Sequence, residues 1–552
     1  MSAGGFSLVL HGHLPWVLHH GRWPHGEDWL YEAASETWMP LIRVLRTLRD
    51  EGIRPCWTLG LTPILLEQLA HPRFRFGFVA YLEERIARAQ SDEGEFNARG
   101  EGHLAWLATR HRERFEAQRA LWDAIDGNIA GELASFDGVE LLTSNATHGF
   151  HPLILHDASA RAQLRAGITT SERHFGHRPA GMWLPECAYR PAGWWVPPAV
   201  HGDPRDREGV ASLAAEADVR FFFVDTHLIT HAEPVAALGA TVTPAAPAQD
   251  ALRCWNSILE PHRVVERGAV TPVTVMGRCP EVSEQVWSGE VGYPGDPHFL
   301  EFHKIHGMRG LRYWRVTGNG VDLAEKEAYH PEAAQQAIEA QAEHFVKLIA
   351  ARLEGHASVG RWGTVCAPFD AELFGHWWHE GPAFLLAVAR KMAAEPRVDA
   401  VTVSESLARA PADKAAALPR GTWGEGGDER VWFNEDLRFY WELAYHAEDR
   451  FLDLWHRAPW RTRDDLRPWL EEAGRQLLML QASDWPFVIY TEGAVDYGMR
   501  RILDHSARFS DLCDAVEDLL AGRPIDPVST SSLERCRLVD PVFPQLQLQW
   551  WG

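Results

Sequence analysis

Two acidic residues stand where extended apolar segments give way to loops. Glu186 lies in Trp183-Leu184-Pro185-Glu186-Cys187-Ala188-Tyr189, and Asp370 opens Asp370-Ala371-Glu372-Leu373-Phe374-Gly375-His376-Trp377-Trp378. His11 and His13 close the first such segment, and the two-residue period of extended chain points both the same way. Ser144-Asn145-Ala146-Thr147-His148 closes another. Two carboxyls in an aromatic mouth ringed by three histidines are what acetal cleavage needs. One ionised carboxylate attacks the anomeric carbon while a protonated one donates to the leaving oxygen, at about 5–5.5 Å separation in a retaining pair. Neutral imidazoles and tryptophan rings supply hydroxyl contacts and a stacking floor without adding charge.

Each residue also has a plainer reading. Asp370 alone could cap a helix, and Glu186 alone could be the buried partner of Arg190. The histidines could bind a metal, but His-x-His needs a third ligand from elsewhere. His376-Trp377-Trp378-His379-Glu380 matches neither H-E-x-x-H nor H-x-x-E-H. There is no G-x-S-x-G elbow, P-loop or convincing GxGxxG after a strand, which removes the commonest serine-hydrolase, NTPase and dinucleotide readings.

The elements that must position these groups are short apolar runs alternating with helical patterns. Strands are expected at 6–11, 55–60, 139–143, 181–184, 220–225, 270–276, 363–369 and 400–404, the last ending in Ser404-Glu405. Helices are expected at about 32–51, 63–69, 158–175, 331–353 and 382–394. This alternation predicts an α/β fold, a distorted (β/α) barrel of seven or eight strands with its reactive groups at the C-terminal strand ends. Residues 1–410 are expected to form the catalytic barrel. A helical insertion at about 72–135 and a long Pro- and Ala-rich loop at about 226–268 interrupt it. Residues 409–430 read as a linker, and 411–552 as a C-terminal helical domain.

The chain has 552 residues and a formal net charge of -22, which argues against nucleic acid or an anionic membrane surface as partner. A neutral polymer is indifferent to that charge. The N-terminal segment shows no basic n-region, no run approaches a bilayer span, and the seven scattered cysteines suit free thiols, so a cytoplasmic location is expected. Most of the 25 tryptophans must build cores, and some are available as sugar platforms.

The motifs HGHLPW, LLTSNATHGFHPL, GMWLPECAY, FDAELFGHWW and SDWPFVIYTEGAVDYG occur in this order from His11 to about His505. In them the chain resembles glycoside hydrolase family 57 and, within it, the 1,4-α-glucan branching enzymes. The resemblance implies a seven-stranded (β/α)7 barrel with a helical domain over the cleft. It implies a retaining mechanism without metal or cofactor, acting on an α-glucan polysaccharide. It further implies Glu186 as nucleophile, Asp370 as acid/base and His11, His13 and His148 around the donor sugar. Asp484 would close the site from the C-terminal domain, with Trp423 and Trp432 lining the acceptor side and Trp287 forming another wall. The family's branching enzymes carry a tyrosine in the loop after the fifth strand, and residues 226–268 contain none. An α-amylase-like hydrolase or 4-α-glucanotransferase is therefore the nearest rival, followed by a non-catalytic glucan-binding protein and a metal-dependent deacetylase or mannosidase.

Overall fold

A computed structural model describes residues 2–199, 204–237, 257–288 and 291–552. The described residues form strands β1 (Gly4–Gly12), β2 (Trp57–Leu61), β3 (Val139–Leu142), β4 (Gly193–Trp195), β5 (Arg205–Arg207), β6 (Phe221–Val224), β7 (Glu233–Ala237), β8 (His262–Glu266), β9 (Ala269–Gly277), β10 (Gly363–Asp370), β11 (Val398–Ala400) and β12 (Lys414–Ala417). Every residue of β1 is buried, as a parallel strand covered on both faces must be. β10, β1, β2 and β3 pair in parallel in that order. Parallel bridges from Thr143 to Met182 and from Gly181 to Phe221 carry the sheet to β6, which pairs in parallel with β9. A hydrogen bond from the Cys279 amide to the Cys366 carbonyl (3.0 Å) links the end of β9 back to β10. These positions complete the distorted (β/α)7 barrel. The fourth strand shrinks to the bridged pair 181–182 because Pro185 has no N–H to donate and Glu186 turns left-handed beyond it (φ 61°).

The helices follow from local sequence. Asp157–Phe175 stops on Gly176, whose φ of 76° is the left-handed C-terminal cap that glycine adopts freely. Residues 27–50 form one helical run, Glu27–Ala33 and Met39–Asp50, joined by a π-helical turn at Ala34–Trp38. Between β2 and β3 the helices Pro72–Ala98 and Gly102–Ala124 pack together, with the rings of Phe78 and Trp122 4.9 Å apart.

Three sequence expectations are corrected. Residues 226–268 are not one long loop: they contain the helix Thr226–Thr230 and strands β7 and β8, while the part from 238 to 256 lies outside the described residues. The supposed linker at 409–430 contains β12, whose buried Ala415 and Ala416 pair with β7 and β8 and so extend the sheet beyond β9. The expected strand at 400–404 is shorter, because Thr402 and Glu405 form a reciprocal capping box that starts the helix Val403–Arg409. Glu405 also pairs with Arg54 ahead of β2, at the end of the barrel opposite the other candidate residues.

After β12 come the helices Arg438–Arg457, Arg467–Leu480, Asp484–Tyr490, Val495–Leu520 and Pro527–Val539. Their tail is clasped to the barrel. Asp540, fully buried, accepts from His20 Nε2 (2.7 Å) and Arg508 Nη1 (2.6 Å), and Trp16 Nε1 donates to the Val539 carbonyl (2.8 Å). Removing one partner from a buried charge pair of this kind typically costs about 3–5 kcal/mol, because the other is left uncompensated. Among the described residues no helix is long and apolar enough to cross a membrane.

Candidate active site

The barrel register brings together residues far apart in sequence. His11, at the end of β1, lies opposite Gly60 of β2 and Asp370 of β10. Glu186 follows the bridged pair 181–182 in a left-handed conformation (φ 61°, ψ 24°), a backbone state that costs about 1–3 kcal/mol outside glycine and is characteristically kept where function uses it.

The Glu186 carboxylate is held by two other parts of the chain. Trp423 Nε1 donates to Oε2 (3.1 Å), and the Trp423 amide donates to the Glu186 carbonyl (3.1 Å). Ser483 Oγ donates to Oε1 (3.0 Å). Because the Ser483 proton is spent there, His148 Nδ1, 2.8 Å from Oγ, must be the donor in that bond. His148 Nε2 is then an acceptor, and His11 Nε2 at 3.0 Å must carry the proton it receives. A single directed chain therefore runs His11, His148, Ser483, Glu186. It ends in a neutral lone pair on His11 Nδ1, which is buried and has no partner among the described residues. Burial, then the neighbouring imidazoles, holds both histidines well below the usual imidazole range, so they stay neutral as this chain requires.

His13 is fixed differently. Its Nε2 lies 2.9 Å from Asp484 Oδ2 and its Nδ1 2.9 Å from Thr62 Oγ1, while its amide donates to Glu372 Oε1 (3.1 Å). The His13 and His148 rings stack with centroids 4.1 Å apart, and Trp183 lies flat against His11 at 4.4 Å. The ring nitrogens of this group, apart from His11 Nδ1, are engaged with one another, Ser483, Thr62 and Asp484 rather than converging on a common point.

Asp370 stands in contrast. It makes no side-chain cap to the following turn, so the helix-cap reading fails, and among the described residues nothing donates to its carboxyl. Arg190 binds the carbonyls of Pro191 and Glu208, so it is not the partner of Glu186 either. Burial raises Asp370 to about 7, and the negative charge of Glu186 adds to the shift, while His13 and Arg278 oppose it. Burial also raises Glu186 to about 7, against the pull of its donors Trp423 and Ser483. Near neutrality the pair thus holds one proton between them. The hydrogen bonds decide where it sits: the donors favour charge on Glu186, and the bare Asp370 keeps the proton.

Ser483→Ala removes one donor from the anion. A hydrogen bond to a charged group is worth about 1.5–3 kcal/mol, or about 1–2 pH units. Since the donor lowers the Glu186 pKa, its loss raises it, and the acid limb of kcat/KM is expected to move up by that amount with thermal stability little changed. An unmoved acid limb would show that Ser483 does not tune this carboxylate.

The aromatic wall is only partly as the sequence suggests. Trp423 stands at the cleft, edge-on to Trp183 (5.1 Å) and to Trp287 (6.0 Å), and Trp287 is 39% exposed. Trp432 does not line it. Its ring is 1% exposed, stacks on Phe150 at 4.8 Å and lies beneath the Trp423 loop, where a Cβ on Gly424 would come within 2.6 Å of it. It supports the loop and offers no face to a ligand. Sequence reasoning passed over Ser483, Trp183 and Arg278. Arg278 follows β9, donates to Asp225 Oδ1 (2.8 Å) and brings a positive charge close enough to depress Asp370; a charged residue at a strand end was the available signal.

Comparison with known proteins matches both halves of this architecture. The family described as Glycosyl hydrolase family 57 matches residues 7–252, and the family described as 1,4-alpha-glucan branching enzyme, C-terminal, matches residues 444–551. The chain is similar to a 1,4-alpha-glucan branching enzyme of Thermococcus kodakarensis, 38% identical over 519 residues, or 93% of this chain and 73% of that one. It is 32% identical to a probable 1,4-alpha-glucan branching enzyme of Mycobacterium tuberculosis over 94% of this chain and 93% of the other. Among solved structures it resembles a GH57-type branching enzyme of Pyrococcus horikoshii, with a TM-score of 0.88, 34% identity and coverage of 100% and 97%. It also resembles the α-amylase AmyC of Thermotoga maritima, with a TM-score of 0.81, 28% identity and coverage of 99% of each chain.

Proposed function

The chain belongs to glycosyl hydrolase family 57, and on that premise we propose that it is a 1,4-α-glucan branching enzyme working through Glu186 and Asp370. The observation that carries the reading is the asymmetry of the two carboxyls. Glu186 receives two side-chain donors in a left-handed turn, and Asp370 receives none while facing the charge of Glu186. An α-1,4-glucan lies across the cleft. Asp370 gives its proton to the glycosidic oxygen as Glu186 attacks the anomeric carbon; the C–O bond breaks and a glycosyl-enzyme ester forms. Asp370, now a base, takes the proton from the 6-hydroxyl of a second glucan strand. That oxygen displaces Glu186, forming an α-1,6 branch with the anomeric configuration retained after two inversions.

Whether a hydroxyl or water intercepts the ester depends on how well the cleft excludes water. The walls available for this are Trp423 and Trp287, and His13 with Asp484 from the C-terminal helices. The absence of tyrosine from 226–268 and the likeness to an α-amylase favour a second reading, in which hydrolysis competes with transfer. Incubation with amylose followed by debranching separates the two. Branching yields short chains released only after debranching, with reducing ends nearly constant beforehand. Rising reducing ends without α-1,6 linkages would exclude branching as the main activity. The six described cysteines are free and buried, which suits a reducing compartment such as the cytoplasm.

A further inference from the structure

The turn that carries Trp423 is closed by its own backbone. The Thr422 amide donates to the Gly427 carbonyl (3.0 Å), and the Gly427 amide donates to the Gly424 carbonyl (2.9 Å). The ring of His227, from the helix Thr226–Thr230, packs directly against this turn. A Cβ on Gly421 would lie 2.8 Å from His227 Nε2, and one on Gly427 would lie 2.9 Å from Cε1. Glycine is required at Gly427 a second time, by its φ of 72°. His227 Nε2 lies 3.1 Å from the Gly427 carbonyl, the same oxygen that closes the turn.

A carbonyl oxygen only accepts, so Nε2 must carry a proton. Across the ring, Nδ1 faces Asp225 Oδ2 at 3.6 Å, and a carboxylate also calls for a proton there. With acceptors on both sides, the geometry is that of an imidazolium. Asp225 holds this imidazole above its ordinary range against the effect of burial, with the Gly427 carbonyl adding and Arg278 opposing. The other titratable neighbour is His231, one helical turn on, whose ring lies edge-on at 6.5 Å. Asp225 is itself fixed by Arg278 Nε (2.8 Å) and the Thr226 amide (2.7 Å). A path of ion pairs and hydrogen bonds thus runs from Arg278 through Asp225 and His227 into the turn. From the turn, the Trp423 indole reaches Glu186 Oε2.

We propose that His227 is a positioning residue that clamps the turn of Trp423, keeping the indole N–H on the Glu186 carboxylate. The inference rests on the reading of Glu186 as nucleophile. Without the clamp, the Thr422 amide alone holds the Gly427 carbonyl, and the indole bond to Glu186 weakens. That donor favours the anion, so its weakening raises the pH at which Glu186 takes up a proton.

The acid limb of kcat/KM on amylose, followed through a double-mutant cycle, tests the clamp. Trp423→Phe removes the donor outright and should move the limb up by about one to two pH units, the scale of one hydrogen bond to a charged group. His227→Leu, which keeps bulk but donates nothing, should move it the same way and add nothing in the Trp423→Phe protein. His227→Gln, whose amide can still donate to the Gly427 carbonyl, should recover most of the shift. A limb that moves with Trp423→Phe but not with His227→Leu overturns the clamp and leaves Glu186 as the titrating nucleophile. The clamp is equally overturned by a His227→Leu shift of the same size with and without Trp423, or by a glutamine protein as displaced as the leucine one. A limb that responds to neither Trp423→Phe nor His227→Leu overturns both the clamp and the Glu186 reading.

Discussion

Glu186→Gln is expected to reduce turnover on amylose by at least about 10⁴-fold, the scale on which loss of a covalent nucleophile acts. The amide keeps the shape of the side chain and still accepts from Trp423 Nε1 or Ser483 Oγ, so circular dichroism and thermal unfolding should be near those of the parent. The backbone would keep its left-handed turn, because the Trp423 amide holds it through the Glu186 carbonyl. A further variant fixes the role. In Glu186→Ala, azide can enter the space the carboxylate leaves and attack an activated α-glucosyl donor from that face, giving a β-glucosyl azide. Recovery of an α-azide instead, or activity within tenfold of the parent for the Gln variant, would remove Glu186 from the nucleophile's position.

Asp370→Asn should cost about 10²–10⁴-fold in kcat/KM on glucans, the range for a positioned general acid. The loss should shrink on α-glucosyl fluoride, whose leaving group needs no proton. The pH profile provides a second reading. In the parent, activity falls on the acid side as Glu186 takes a proton and on the alkaline side as Asp370 loses one, with both groups raised to about 7 by burial. Asparagine cannot ionise, so the alkaline limb should disappear while the acid limb remains. The acid limb should stay close to its place, because Asp370 is already protonated and neutral when Glu186 titrates. An alkaline limb that survives the substitution would falsify the assignment of Asp370 as the acid.

Sequence made the barrel legible because its strands carry little but apolar residues. β1 and β10 read as buried on both faces and are so. It misread β7 and β12 because their residues are small: Ala and Pro in short runs look the same in a loop as in a strand, and only pairing decides. Residue type marked the carboxyls and histidines, since few other residues can do their chemistry. It could not mark Ser483, whose hydroxyl matters only because folding places it between His148 and Glu186. Nor could composition separate Trp423, which grips Glu186, from Trp432 nine residues on, which the fold buries beneath it. Indole rings serve cores and ligands equally well, and the difference is purely one of exposure.

Ser483 follows His148 and Glu186, the residues it joins, by 335 and 297 positions in the chain. The barrel residues alone thus supply both carboxyls but neither the hydroxyl that steadies Glu186 nor the Asp484 carboxylate against His13. The full donor set of Glu186 exists only with the carboxyl-terminal helices docked, where the buried Asp540 accepts from His20. A chain cut before Ser483 would lose both the Glu186 donor and the Asp484 carboxylate beside His13.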